Sequence, residues 1–182
     1  MSEPASAFIR PARPPDAARL ALIHVTSWRE TYTGLMPPGV LERMTGEAMR
    51  LRRDQGWQHT LSHEADCVQV AELDGQVVGF ASGGALRPHT VIPGDYAAEL
   101  YTLYALREVQ GRGMGRLLFA AVARELHGRG FVGLALWVLA ANPTRQFYVH
   151  LGGRELGQKV EAVLGGELAE VALGWPQIQS LF

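Results

Sequence analysis

The residues with the clearest chemical potential lie in one short run. Gln110-Gly111-Arg112-Gly113-Met114-Gly115 sets three glycines at alternate positions between a strand-like stretch and an amphipathic helical stretch. Without a Cβ the backbone can approach a ligand closely. The N-terminus of the following helix offers unpaired N–H groups and the positive end of a dipole. Arg112 and Arg116, with Arg107 a little upstream, add full positive charges. This combination suits a phosphate; the competing reading is a tight strand-to-helix turn with solvated arginines. Dinucleotide binding fits poorly, because the sixth position counted from Gly111 is Arg116 rather than glycine. The acidic residue expected ~20 residues further on is replaced by apolar Leu134-Ala135-Leu136. A P-loop would need Gly-Lys-Ser/Thr after its glycines, which is absent.

The elements that must position this loop are legible in outline. Phe8-Ile9-Arg10 reads as a short strand closed by Pro11, and Pro14-Pro15-Asp16 starts a helix. Leu20, Ile23, His24, Ser27, Trp28 and Thr31 recur at helical spacing up to Gly34, with Pro37-Pro38 as a break. A second helical stretch covers Val40 to Leu61, interrupted at Thr45-Gly46. Cys67 to Ala71 alternates as a strand, Asp74-Gly75 is a hairpin turn, and Gln76 to Ala85 returns. Residues 86 to 96 read as a loop and Glu99 to Leu106 as a strand. After the glycine loop, Met114, Leu117, Leu118, Ala121 and Val122 give a helical apolar stripe ended by Gly128 and Gly130. Leu134 to Leu139 is apolar throughout, as a central strand would be. Asn142-Pro143 opens a helix closed by Gly152-Gly153. Leu156 to Leu164 and Leu168 to Trp175 are strands joined by Gly165-Gly166. The order β-α-α-β-β-β-α-β-α-β-β predicts one mixed α/β domain over residues 1 to 182.

Gln110-x-x-Gly113-x-Gly115 resembles the pyrophosphate loop of the Gcn5-related N-acetyltransferase (GNAT) superfamily, Q/R-x-x-G-x-G/A. Leu103-Tyr104-Ala105-Leu106 looks like the strand before that loop. Leu134 to Leu139, Asn142 and Phe147-Tyr148-x-x-x-Gly152 look like the strand and helix that complete the cofactor site. Trp28-Arg29-x-x-Tyr32-x-Gly34-Leu35 resembles the first-helix region of many bacterial members. Two departures stand out: Gly152-Gly153 where Gly-Phe is usual, and Arg107 where proline is frequent.

The resemblance implies a twisted, mainly antiparallel sheet flanked by helices and splayed at a central parallel strand pair. It implies acetyl transfer from acetyl-CoA, as co-substrate and without a metal, to the primary amine of a small molecule, protein or peptide. Gln110, Gly111, Arg112, Gly113, Met114, Gly115 and Arg116 would hold the pyrophosphate. Leu103, Tyr104 and Ala105 would pair with the pantetheine arm, with a backbone N–H near Tyr104 on the thioester carbonyl, and Asn142 would contact that arm. Tyr148 matches the general acid: a phenol with an ordinary pKa of about 10 is protonated at neutral pH and can donate to a departing thiolate. Glu99, at the start of the strand that runs into the site, is the candidate base acting through a water; the alternatives are a solvent-facing carboxylate and a water chain. Trp28 and Tyr32 line the acceptor pocket or belong to the core. Asn142 before Pro143 is also an N-cap signal. A non-catalytic acetyl-CoA-binding module would keep the loop without turnover.

Other groups are discounted. His59 and His63 could share a helix face as metal ligands, but no third ligand follows at a convincing spacing, and a solvated face is expected. Cys67 reads as a buried strand residue. Across the 182 residues, 47% hydrophobic and 19% charged content describes an ordinary globular chain. Seventeen Lys+Arg against eighteen Asp+Glu give no general drive toward nucleic acid or a membrane. A single cysteine, no basic-apolar leader and no apolar span of about 18 residues point to the cytoplasm. The apolar tail Ile178 to Phe182 is available to a homodimer interface.

Overall fold

The computed structural model describes residues 7–63, 66–88, 91–163 and 166–182. In chain order its elements are β1 (Ala7–Pro11), α1 (Ala17–Tyr32), α2 (Pro38–Thr45), α3 (Glu47–Leu61), β2 (Cys67–Leu73), β3 (Gln76–Ala85) and β4 (Ala98–Ala105). They continue with α4 (Met114–Gly128), β5 (Leu134–Leu139), α5 (Thr144–His150), β6 (Arg154–Val163) and β7 (Gly166–Trp175). The expected break at Thr45-Gly46 divides α2 from α3. The expected strand end at Leu164 and turn residue Gly165 lie outside the described residues.

Among the described residues the strands form one sheet in the order β1-β2-β3-β4-β5-β7-β6, antiparallel except for β4 beside β5. Asp74 (φ 50°) and Gly75 (φ 78°) make the tight turn that sets the β2–β3 register. Alternation along β2 serves both faces. Val68 and Val70 pack with Leu20 and Ile23 of α1, while Cys67 and Ala71 face the α4 side. At β5, Leu134, Leu136 and Val138 face the α4 side, while Ala135 packs with Ile92 and Tyr96 of the loop before β4, so both faces of that strand are covered and its run is unbroken in apolar residues.

The stripe expected on α4 is shifted. Met114, Leu118, Phe119, Val122, Ala123 and Leu126 are buried, whereas Leu117 is 49% exposed. The row Met114, Leu118, Val122, Leu126, four residues apart, is what faces the sheet, and Leu117 falls on its flank. No helix among the described residues is long and apolar enough to cross a membrane.

Candidate active site

The site is built on a parting of two strands. β4 and β5 pair only through Ala98↔Leu134, Glu99↔Ala135 and Leu100↔Leu136, then diverge. On its other edge β4 carries a bulge: Ser82 pairs with Thr102 and Gly83 with Leu100, so Tyr101 is the extra residue. A bulge increases local twist and re-aims side chains. It falls where the fork begins, so the rest of β4 turns away from β5 with one edge open.

The glycine loop lies at the wide end of that fork. Gly113 (φ +80°) precedes α4 in the left-handed conformation that disfavours any side chain, and open space surrounds its missing Cβ. Gln110 Nε2 donates to the carbonyl of Ala105 at 2.9 Å, so this side chain fastens the loop to the end of β4. Among the described residues neither Arg112 nor Arg116 has an ion-pair partner, and both are exposed. Arg107 is directed elsewhere. Its backbone N–H donates to Glu30 Oε2 (3.1 Å) and its Nη2 to the Glu30 carbonyl (2.6 Å), a tie to α1 that proline could not make in full.

A groove of about 400 Å3 runs along this loop, lined by Leu103, Tyr104, Ala105, Gly113, Gly115 and Phe147 among others. Ser27 also lines it, and the Ser27 hydroxyl is buried with no hydrogen-bond partner among the described residues. An orphaned hydroxyl, open backbone at Gly113 and an unpaired strand edge fit an elongated ligand that carries a phosphate at one end and amides along its length.

Through Leu103, Tyr104, Thr31 and Thr144 the groove meets a second cavity of about 330 Å3 on the narrow side of the fork. Tyr148, 6% exposed, lines this cavity and has no hydrogen-bond partner among the described residues. Burial, then the nearby phenols of Tyr104 and Tyr32, raises its pKa well above the ordinary phenol value, so the proton stays on oxygen. Trp28 Nε1 donates to the Tyr104 hydroxyl at 2.8 Å, and Asn142 Nδ2 donates to the Tyr32 hydroxyl at 3.1 Å. Trp28 and Tyr32 therefore line the cavity, while Tyr32 also packs with Met36 and Leu41. Asn142 Oδ1 accepts the N–H of Thr144 at 2.9 Å, which satisfies the first turn of α5 although the helix itself starts two residues later.

Glu99 is not solvent-facing. It is 1% exposed, and its carboxylate accepts the Arg87 backbone N–H and Nε, each at 3.1 Å, and Nη2 as well. That carboxylate holds the Arg87 guanidinium above its ordinary pKa. Sequence reasoning missed Arg87, Glu161 and Glu170, which also line the cavity. Their signal was faint: Lys159 and Glu161 are two apart and so share one face of β6, and only the β6–β7 register brings Glu170 beside Lys159.

Gly153 explains the missing aromatic after Gly152. A Cβ there would lie 2.8 Å from Trp175 Cζ2 and 2.9 Å from the Tyr148 carbonyl. The indole of Trp175, with Nε1 on the Leu151 carbonyl at 2.8 Å, occupies that space. Elsewhere, Cys67 is buried with Sγ donating to Glu125 Oε2 at 2.9 Å. His59 and His63 stack at 4.3 Å, and no group of three metal-ligating side chains occurs among the described residues.

A forked parallel strand pair, a glycine loop at its wide end and a buried phenol beside it define an acetyltransferase fold, and comparisons agree. The Acetyltransferase (GNAT) family profile matches residues 26–152, and the chain belongs to this family. It is 33% identical over 174 residues to YuaI of Bacillus subtilis (strain 168), called an uncharacterized N-acetyltransferase, covering 95% of each chain. Two solved structures share the fold. One is the PaiA N-acetyltransferase of Thermoplasma acidophilum in complex with coenzyme A: TM-score 0.66, 21% identity, 91% of this chain and 98% of that one. The other is YncA of Salmonella typhimurium, a putative acetyltransferase, with its cofactor acetyl-CoA: TM-score 0.68, 21% identity, 95% of this chain and 94% of that one.

Proposed function

We propose that the protein transfers the acetyl group of acetyl-CoA to a primary amine by direct attack, in a cytoplasmic setting. The observation that carries this reading is the phenol of Tyr148: it belongs to a buried residue, stays protonated, has no hydrogen-bond partner among the described residues, and lines the cavity that opens from the fork. Acetyl-CoA supplies an activated thioester carbon. The backbone N–H groups of Gly111, Gly113 and Gly115 and the start of α4 would hold its pyrophosphate, helped by Arg112 and Arg116. The open edge of β4 around Leu103, Tyr104 and Ala105, with Asn142 opposite, would pair with its amide arm, and a backbone N–H near Tyr104 would orient the carbonyl.

Within the cavity Trp28 and Tyr32 form one wall for the acceptor and Glu99 part of the other. Arg87 places two N–H donors on Glu99 Oε2 and one on Oε1, which leaves Oε1 capacity for one more bond, so a bridging water can carry the amine proton there. Tyr148 then gives its proton to the leaving sulfur. No metal has a role in this scheme.

The experiment is a turnover screen with acetyl-CoA across amines, following free thiol, beside thermal shifts with coenzyme A, NAD and ATP. Stabilisation by coenzyme A with amine-dependent thiol release is expected. Coenzyme A binding without turnover would leave a binding module, and stabilisation by NAD or ATP alone would overturn the reading.

A further inference from the structure

The charges of the acceptor cavity are unevenly matched. Among the described residues lining it, Glu99, Glu161 and Glu170 face one cation, Arg87, which is committed to Glu99. Among the described residues Glu161 and Glu170 share a single further cation: Lys159 Nζ lies 2.6 Å from Glu161 Oε1 and 2.9 Å from Glu170 Oε2. One ammonium thus serves two carboxylates, and a full negative charge is left over. Partial burial pulls the Lys159 pKa down, yet the bonds to both carboxylates hold it above its ordinary value. The Glu170 carboxylate also acts on Arg87 and on the Tyr32 phenol, raising both, so its charge is felt across the cavity. Lys159 in turn rests 4.6 Å above the ring of Trp137, an apolar floor that tolerates a cation. The same cavity is lined by Tyr148, whose hydroxyl has no partner among the described residues and would stand beside the reacting atoms.

We propose that Glu161 and Glu170 select the acceptor, taking the distal cation of a small primary amine that carries a second positive charge. This rests on the acetyl-transfer reading above. A second ammonium or guanidinium supplies the charge that Lys159 alone cannot. An acceptor with a carboxylate at the far end, such as a free amino acid, would bring a fourth negative charge to a wall whose cations are already paired. Neutral alkyl amines fall between, since they lose the charge-assisted bond and meet no repulsion.

The test compares three acceptors of equal length that differ only at the far end: hexamethylenediamine, hexylamine and ε-aminocaproate. Thiol release gives kcat/KM, and calorimetry on the coenzyme A-bound protein gives Kd for each. The expected order is diamine, then alkylamine, then amino acid, with about tenfold or more between the first two, the worth of one charge-assisted hydrogen bond. In Glu170→Gln the ratio of diamine to alkylamine should collapse toward unity in both readouts, with melting temperature recorded as a check on folding. Equal kcat/KM for all three, or preference for ε-aminocaproate, overturns the inference and leaves acetyl transfer intact. Selective diamine binding without thiol release sustains the charge selection and overturns the transferase reading. The absence of both selective binding and turnover overturns the inference.

Discussion

The indole N–H of Trp28 reaches the Tyr104 hydroxyl at 2.8 Å and so ties α1 to β4 where the sheet divides. Tyr104 lines both the groove and the acceptor cavity, and burial raises its pKa despite the Trp28 bond and the nearby Arg53 charge. Tyr104→Phe removes this bond and leaves the Trp28 donor without its partner. It should cost about 1–3 kcal/mol in denaturant unfolding. The backbone of the open β4 edge is unchanged, so the chemical rate should fall by less than about tenfold.

Tyr148→Phe should behave in the opposite way. Its hydroxyl holds no partner among the described residues, so stability should not fall. Turnover should drop within the ~10²–10⁴-fold range of lost general acid catalysis, toward its lower end. A thiol of pKa about 8.5 is already a fair leaving group. Single-turnover rates separate the chemical step from product release; a rate near that of the unaltered protein would reduce Tyr148 to packing.

Gly113→Val should weaken the coenzyme A thermal shift and also destabilise the free protein. At φ +80° an L side chain costs about 1–2 kcal/mol even though no atom obstructs it. Gly115→Ala is the control, because its Cβ would meet Phe147 at an ordinary 3.5 Å. Melting curves with and without coenzyme A distinguish the two.

His24 gives the fold an acid-sensitive point. It stacks on Tyr104 at 4.6 Å and accepts from Arg53 Nη1 at Nδ1 (2.8 Å). Burial, reinforced by the Arg53 charge, pushes its pKa from the ordinary 6.5 down to about 2. Between those values the unfolded chain binds a proton that the folded chain does not. Stability should therefore be complete above the unfolded value and decline as pH falls below it, by up to about 1.4 kcal/mol per pH unit. Urea unfolding at several pH values should show this decline in the unaltered protein and a shallower one in His24→Gln.

Gly153→Phe, which introduces the residue usual in the family, should destabilise by about 1–3 kcal/mol because Trp175 fills the space. Adding Trp175→Leu should recover part of the loss, and non-additive melting temperatures would register the exchange.

The loop, the strand before it and the Tyr148 helix were legible because their glycine spacing and apolar runs are local in sequence. The α4 stripe was misplaced by one flank because Leu117 and Leu118 are both apolar, and only packing against the sheet chooses between them. Glu99 was ambiguous for a different reason: its partner Arg87 lies in a loop with no periodic signal. Glu170 escaped notice because its meaning depends on strand register, which brings Lys159 beside it from another strand. The missing aromatic after Gly152 could not be explained until Trp175 was seen in its place.

The three-residue seam between β4 and β5 makes the sheet two leaves rather than one continuous surface. The glycine loop and Glu99 belong to the first leaf, whereas Tyr148, Glu161 and Glu170 follow the second. The proposed transfer as a whole draws on groups from both leaves, so alignment matters as much as residue identity. Beyond the seam, the leaves are fastened by Phe119 of α4 against Trp175 of β7, ring centroids 4.9 Å apart. Trp175 is also the side chain that displaces the usual aromatic at position 153. A single indole thus works as the clasp of the book and as the spacer that sets the Tyr148 helix against its spine.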